Sequence, residues 1–171
     1  FLPISSSGHL VLVPVIFNWV DQGLVFDVAV HFGSLVAVCL YFRHDILGLL
    51  HGVRDIVAGK VRSDDALMTF RLGFATVPVA LVGLLFASWI APNLRDPMVV
   101  VVTLSGYGIL MGLADRLAPR TRNITDIRLR DAIIIGLAQA LALVQGTSRS
   151  GITIPTGRLL GIARPAAARF S

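Results

Sequence analysis

Long apolar runs alternate with short polar stretches along this chain. Leu24–Phe42, Ala66–Ile90 and Met98–Ala114 approach or exceed the roughly 20 apolar residues that a helix needs to cross a bilayer, which predicts three spanning helices. Two other apolar stretches are shorter: Leu10–Trp19 contains Pro14, and Ala132–Val144 stops at Gln145-Gly146. Segments of this length read as re-entrant or broken helices, whose irregular backbone survives at membrane depth only where protein or water satisfies it. The predicted fold class is all-α, a polytopic membrane protein that combines spanning helices with re-entrant or broken ones.

Composition agrees. With 55% hydrophobic and 15% charged residues and a mean hydropathy of +0.79, the chain is too apolar for an ordinary soluble domain. The net charge of +5 does not point to nucleic acid, because the basic residues cluster between apolar runs instead of covering one polar surface. Arg43, Arg54, Lys60 and Arg62 fall in 43–62, and Arg116, Arg120, Arg122, Arg128 and Arg130 in 115–130. The 91–97 turn has only Arg95 and 18–23 has no Lys or Arg, so the positive-inside rule reads the two basic loops as cytoplasmic. Arg71, opening the second span, is expected to snorkel to that face. Cys39 is the single cysteine, which excludes an intrachain disulfide. Neither Phe1 nor Ser171 resembles a natural terminus, and the chain is expected to be part of a longer protein.

The two short segments flank similar motifs, Ser5-Ser6-Ser7-Gly8 followed by His9, and Ser148-Arg149-Ser150-Gly151. Both follow Ser-x-Ser-Gly, and in register Ser6 falls opposite Arg149. Three predicted spans separate them, an odd number that reverses direction. The expected organisation is one membrane domain over 1–171, with 1–114 a first repeat, 115–130 a basic cytoplasmic loop and 131–171 the start of a second, inverted repeat. In such folds the site forms near the bilayer midplane, where broken helices meet.

An arginine at membrane depth is costly, which makes Arg149 a functional candidate, and its fork of donors suits phosphate. Ser hydroxyls and backbone N–H groups around Gly8, Gly146 and Gly151 would add donors where a helix begins. His9 follows Ser6 by three residues, so on a helix it shares a face with Ser6 and is placed to take its proton or to attack phosphorus itself. Nucleophile, base and cationic clamp are the parts of an in-line phosphoryl transfer. Bland alternatives stand beside these: membrane serines often bond helix carbonyls, and Arg149 or His9 would equally serve as an ion-pair or interfacial residue. Asp27 and His31, four apart in the first span, would line the cavity, bind a metal or satisfy each other, with a supporting role favoured.

The segment Phe1-Leu2-Pro3-Ile4-Ser5-Ser6-Ser7-Gly8-His9 resembles the first signature of bacterial undecaprenyl-diphosphatases, also described as bacitracin-resistance proteins, and Gly146-Thr147-Ser148-Arg149-Ser150-Gly151 resembles the second. Phe26–Val38, Leu160-Gly161 and Arg169-Phe170-Ser171 are similar to the segments between and after them. The resemblance implies a multi-pass inner-membrane hydrolase that converts undecaprenyl diphosphate to undecaprenyl phosphate, recycles the carrier for peptidoglycan and confers bacitracin resistance. It implies Ser6 and His9 as catalytic residues, Arg149 as phosphate clamp, Ser5, Ser7, Ser148, Ser150 and Gly151 as phosphate-binding support, and a divalent cation, Mg or Ca. The family's catalytic glutamates precede the first signature and would lie before Phe1, so this stretch alone is expected to lack its metal ligands and to be inactive. Gln145 stands where the family usually has Pro.

Rival readings exist. Another lipid phosphatase family carries Ser-Gly-His and Ser-Arg, but needs a further His after the latter, and Ser150–Gly161 contains none. Inverted repeats with broken helices are also typical of transporters, so a polyprenyl-phosphate flippase is the alternative of another class.

Overall fold

The computed structural model describes residues 5–20, 22–93, 97–119, 121–144 and 146–171, without the side chains at 7, 8, 11, 24, 87–93 and 97. Phe1–Ile4, Arg95, Arg120, Gln145 and the Ser7 side chain, all invoked above, lie outside the described set. Among the described residues the chain forms α-helices and no strand: α1 (Ser6–Phe17), α2 (Gly23–Tyr41), α3 (Arg43–Val57), α4 (Asp64–Asn93), α5 (Pro97–Leu117), α6 (Leu129–Ala140), α7 (Arg149–Leu159) and α8 (Arg164–Phe170). By length and apolarity α4 and α5 each suffice to cross a membrane, and α2 with α3 makes a further candidate span bent by 79°. Large apolar side chains face outward, Val25 at 85% and Leu84 at 84% exposure. Water would not tolerate so much apolar surface, and lipid covers it. Aromatic rings mark both ends of α2, with Phe17 stacked on Trp19 at 5.3 Å and Tyr41 against Phe42 at 4.8 Å, as membrane interfaces favour.

The segment 43–62, read above as a basic loop, is mostly the helix α3. Its charges mask a helical period: Ile46, Leu49, Leu50, Val53 and Val57 recur every three or four residues while Arg43, Asp45, His51 and Arg54 fall between. Helix α3 ends at Ala58-Gly59, where Gly59 adopts φ +76°. Ser63 then caps α4, accepting from the Ala66 N–H at 3.2 Å and donating to Asp55 at 2.6 Å. A methyl group on Gly52 would stand 2.3 Å from the Asp65 carbonyl oxygen, so α3 and α4 touch backbone to backbone.

Helix α6 breaks as its length suggested. A 3₁₀ turn at Leu141–Leu143 ends it, and the chain reverses into α7. At the tip Gly146 has φ +84°, and a Cβ there would meet Thr103 Oγ1 at 2.4 Å and Val100 Cα at 2.7 Å on α5. Both constraints demand glycine. The far end of α7 is held by Arg158, which is 0% exposed. It donates to Asp115 (3.1 Å) and to the carbonyls of Pro119 (3.0 Å), Ile162 (2.8 Å) and Ala118 (3.1 Å).

The 115–130 region is therefore an ordered base and not a free basic loop. Helix α5 continues to Leu117, and Arg122 donates to the carbonyls of Leu160 (2.9 Å) and Asp126 (2.6 Å) and to the Asp131 carboxylate. Burial alone would raise the Asp131 pKa. The hydrogen bonds from Arg122 and the Arg128 N–H, with their charges, outweigh it and hold the carboxyl below its ordinary range. Ile127, Ala132, Ile135, Ile154, Ile162 and Phe170 pack a small core beneath the break.

Helix α6 approaches α4 through Gly136, whose added Cβ would lie 2.3 Å from the Ala75 carbonyl oxygen, whereas Gly106 has open space. Gly136→Ala should therefore destabilise the detergent-solubilised protein by about 1–3 kcal/mol, read as a lowered Tm, and Gly106→Ala should leave Tm unchanged or slightly raised.

Candidate active site

Helices α1 and α7, which carry the two motifs, both pack against α5. A cavity of about 1170 Å³ opens among them, α2, α3, α4 and α8, lined by Ser5, Ser6, His31, Ser34, Thr147, Ser148, Arg149 and Ser150 among others. Most of the candidates read from the sequence thus meet in one place, although the motifs lie at opposite ends of the chain.

Ser6 opens α1 and its Oγ lies 3.4 Å from His31 Nε2. The His31 Nδ1 is 2.6 Å from the Asp27 carbonyl oxygen. A carbonyl only accepts, so in the neutral ring the proton sits on Nδ1 and Nε2 is left to accept from Ser6. The expected partner of Ser6 was His9. Instead His9 Nδ1 donates to the Ser5 carbonyl at 2.9 Å, and His9 is not among the cavity's lining residues. The i, i+3 relation holds along α1, but backbone capping by the carbonyl four residues back takes the His9 ring, while α2 brings His31 to Ser6. The Asp27–His31 pair exists through the Asp27 backbone.

The second motif forms a helix N-terminus. Ser148 is the N-cap of α7, its Oγ accepting from the Gly151 N–H at 3.2 Å and lying 3.2 Å from Ser150 Oγ. Gly151 is needed for that cap, since a Cβ would stand 2.8 Å from Ser148 Cβ. The unpaired N–H groups of this first turn and the positive end of the helix dipole favour an anion. Arg149, the first residue of α7, is exposed to the cavity and its guanidinium makes no ion pair among the described residues. Thr147, 4% exposed, also lines the cavity, and its Oγ1 has no hydrogen-bond partner among the described residues. A buried hydroxyl without a partner is costly, and an oxyanion in the cavity would satisfy it.

Sequence reasoning passed over Thr147, Ser34 and Arg158. Thr147 was legible only as part of a motif, while Arg158 carried the same sign as Arg149, an arginine among apolar residues. Among the described residues no group of three or more His, Cys, Asp or Glu side chains is placed to hold a metal ion. These residues do not by themselves build the divalent-cation site that the resemblance implies.

Apolar candidate spans around a cavity lined by hydroxyls, His31 and the Arg149 guanidinium, with further charged residues such as Arg71 and Asp65, define a helical membrane protein with a polar interior site. The chain belongs to the bacitracin resistance protein BacA family, whose match extends over residues 1–171. It is similar to proteins named undecaprenyl-diphosphatase from Hahella chejuensis (50% identical), Teredinibacter turnerae (49%) and Thioalkalivibrio sulfidiphilus (47%), each over 171 residues. Those alignments cover 100% of this chain but 64%, 65% and 64% of the relatives, so the chain spans just under two thirds of their length.

If Arg149 is the anion clamp, inorganic pyrophosphate titrated into the full-length protein should bind about ten- to a hundredfold more weakly to Arg149→Ala, the ~1.5–3 kcal/mol of a hydrogen bond to a charged group. Arg54→Ala, on the exposed side of α3, should bind as the unmodified protein does.

Proposed function

We propose that the protein of which this chain is part hydrolyses undecaprenyl diphosphate to undecaprenyl phosphate and inorganic phosphate in the bacterial inner membrane, and so confers bacitracin resistance. The observation that carries the reading is the shared cavity: one motif brings a hydroxyl in contact with an imidazole, the other a capped helix N-terminus with an unpaired arginine. The name of the relatives supplies the substrate.

In the proposed reaction Arg149, the Thr147 and Ser150 hydroxyls and the N–H groups opening α7 hold the terminal phosphoryl group and take up charge as it develops. Ser6 Oγ attacks that phosphorus and passes its proton to His31 Nε2. The new Oγ–P bond forms as the bridging P–O bond breaks, and the lipid monophosphate leaves as an anion that needs no proton. His31 releases that proton to solvent, takes one from the water that attacks the phosphoserine, and returns it to Ser6 Oγ as the Oγ–P bond breaks to yield phosphate. His9 enters through the resemblance, and its bond to the Ser5 carbonyl positions the backbone beside Ser6. A divalent cation, Mg or Ca, also enters through the resemblance alone. We further read 1–114 and 131–171 as inverted copies that reach the midplane from opposite faces.

The test is phosphate release from farnesyl diphosphate by the full-length protein in detergent, with and without EDTA. Ser6→Ala and Arg149→Ala should each lower kcat about 100-fold or more. His31→Gly should be similarly impaired but partly rescued by added imidazole, whereas His9→Gly, acting through position, should not be rescued. Rescue of His9→Gly alone would return the base to His9. No release from folded, unmodified protein would favour lipid transport over hydrolysis.

A further inference from the structure

Arg149 also lines a second, shallower hollow of about 400 Å³ beside the α6–α7 break, together with Thr76, Val79, Ala80, Gln139, Ala142 and Leu143. We infer that this groove between α4 and the broken end of α6 receives the first isoprene units of the lipid substrate, an inference that rests on the diphosphatase reading. Three observations converge on it. Arg149 is common to the polar cavity and to the groove, so a diphosphate on the guanidinium places its carbon chain at the groove's entrance. The groove wall is largely apolar and small, Ala80 and Ala142 leaving space that larger residues would fill. It opens beside outward-facing Val77, Leu81, Leu84 and Leu141, at 49%, 54%, 84% and 50% exposure, so a chain leaving it passes directly into lipid.

The packing explains why the groove is there. Helices α4 and α6 are pinned together at Ala75 and Gly136. One turn further along α4, past Pro78, α6 gives way to its 3₁₀ turn, which meets α4 less closely, with Gly83 beside Leu143, and a gap remains. Its volume lies near the lower end of small-ligand pockets, about 300–1,000 Å³. It therefore suits a few isoprene units, and the rest of a long polyprenyl chain would lie in the bilayer.

Ala80 is exposed, so Ala80→Trp fills the groove without displacing packed neighbours. Phosphate release by the full-length protein is to be compared on dimethylallyl, geranyl and farnesyl diphosphates. The unmodified protein should gain kcat/KM with each added isoprene unit. Ala80→Trp should keep its rate on the five-carbon substrate and lose that gain, with farnesyl diphosphate falling about tenfold or more. An unchanged chain-length preference in Ala80→Trp overturns the groove while leaving the hydrolase intact. No release from any substrate by the unmodified protein removes both. A photoactivatable farnesyl diphosphate analogue provides a readout that does not depend on how the variant folds: adducts within 76–80 or 139–143 of unmodified protein support the groove, and adducts confined elsewhere refute it.

Discussion

A single buried guanidinium sets the geometry of this protein. Arg158 is fully enclosed and donates to one carboxylate and three backbone carbonyls at the junction of α5, α7 and the 115–130 base. A charge so deep is stable only when its donors are met, and removing its partners would leave an uncompensated cation, at a cost of several kcal/mol. Once Arg158 fixes the root of α7, the length of that helix fixes where its N-terminus lies. The tip is then set by Gly146 against α5. Between these two anchors the chain presents Ser148, Arg149 and the N–H groups of the first turn of α7 to the cavity.

The two arginines of α7 have opposite assignments for a physical reason. Arg158 meets carbonyls that no helix partner would otherwise satisfy, and becomes structure. Arg149 sits at the other end of α7 from that junction, beside Ser148 and Ser150, and its guanidinium makes no ion pair among the described residues. The Thr147 hydroxyl next to it, without a partner among the described residues, points the same way. Stability is thus sacrificed locally where a ligand would restore it.

Much of this was legible in the sequence. Apolar run length found α4 and α5, and the shortness of Ala132–Val144 announced the break at Gly146. The Ser-x-Ser-Gly pattern found the two halves of the cavity. What the sequence hid came from competition between signals. Charges in 43–62 obscured the helical period of α3, because positive-inside counting treats a basic segment as loop whatever its backbone does. Spacing suggested His9 for Ser6, yet a nearby carbonyl captured that ring, and His31 arrived through a tertiary contact that no local pattern encodes. The groove at Ala80 and Ala142 is equally invisible in one dimension, since small residues there register only as more apolar helix.

We propose that the two motifs approach one site from opposite sides of the membrane. The most direct test is the sidedness of single cysteines placed in the turns that root them, in full-length protein with Cys39→Ser. Asn18→Cys, after α1, should react with an impermeant maleimide in intact spheroplasts, and Asn123→Cys, in the Arg158 base, only after permeabilisation. Reaction of both from the same side would contradict the account.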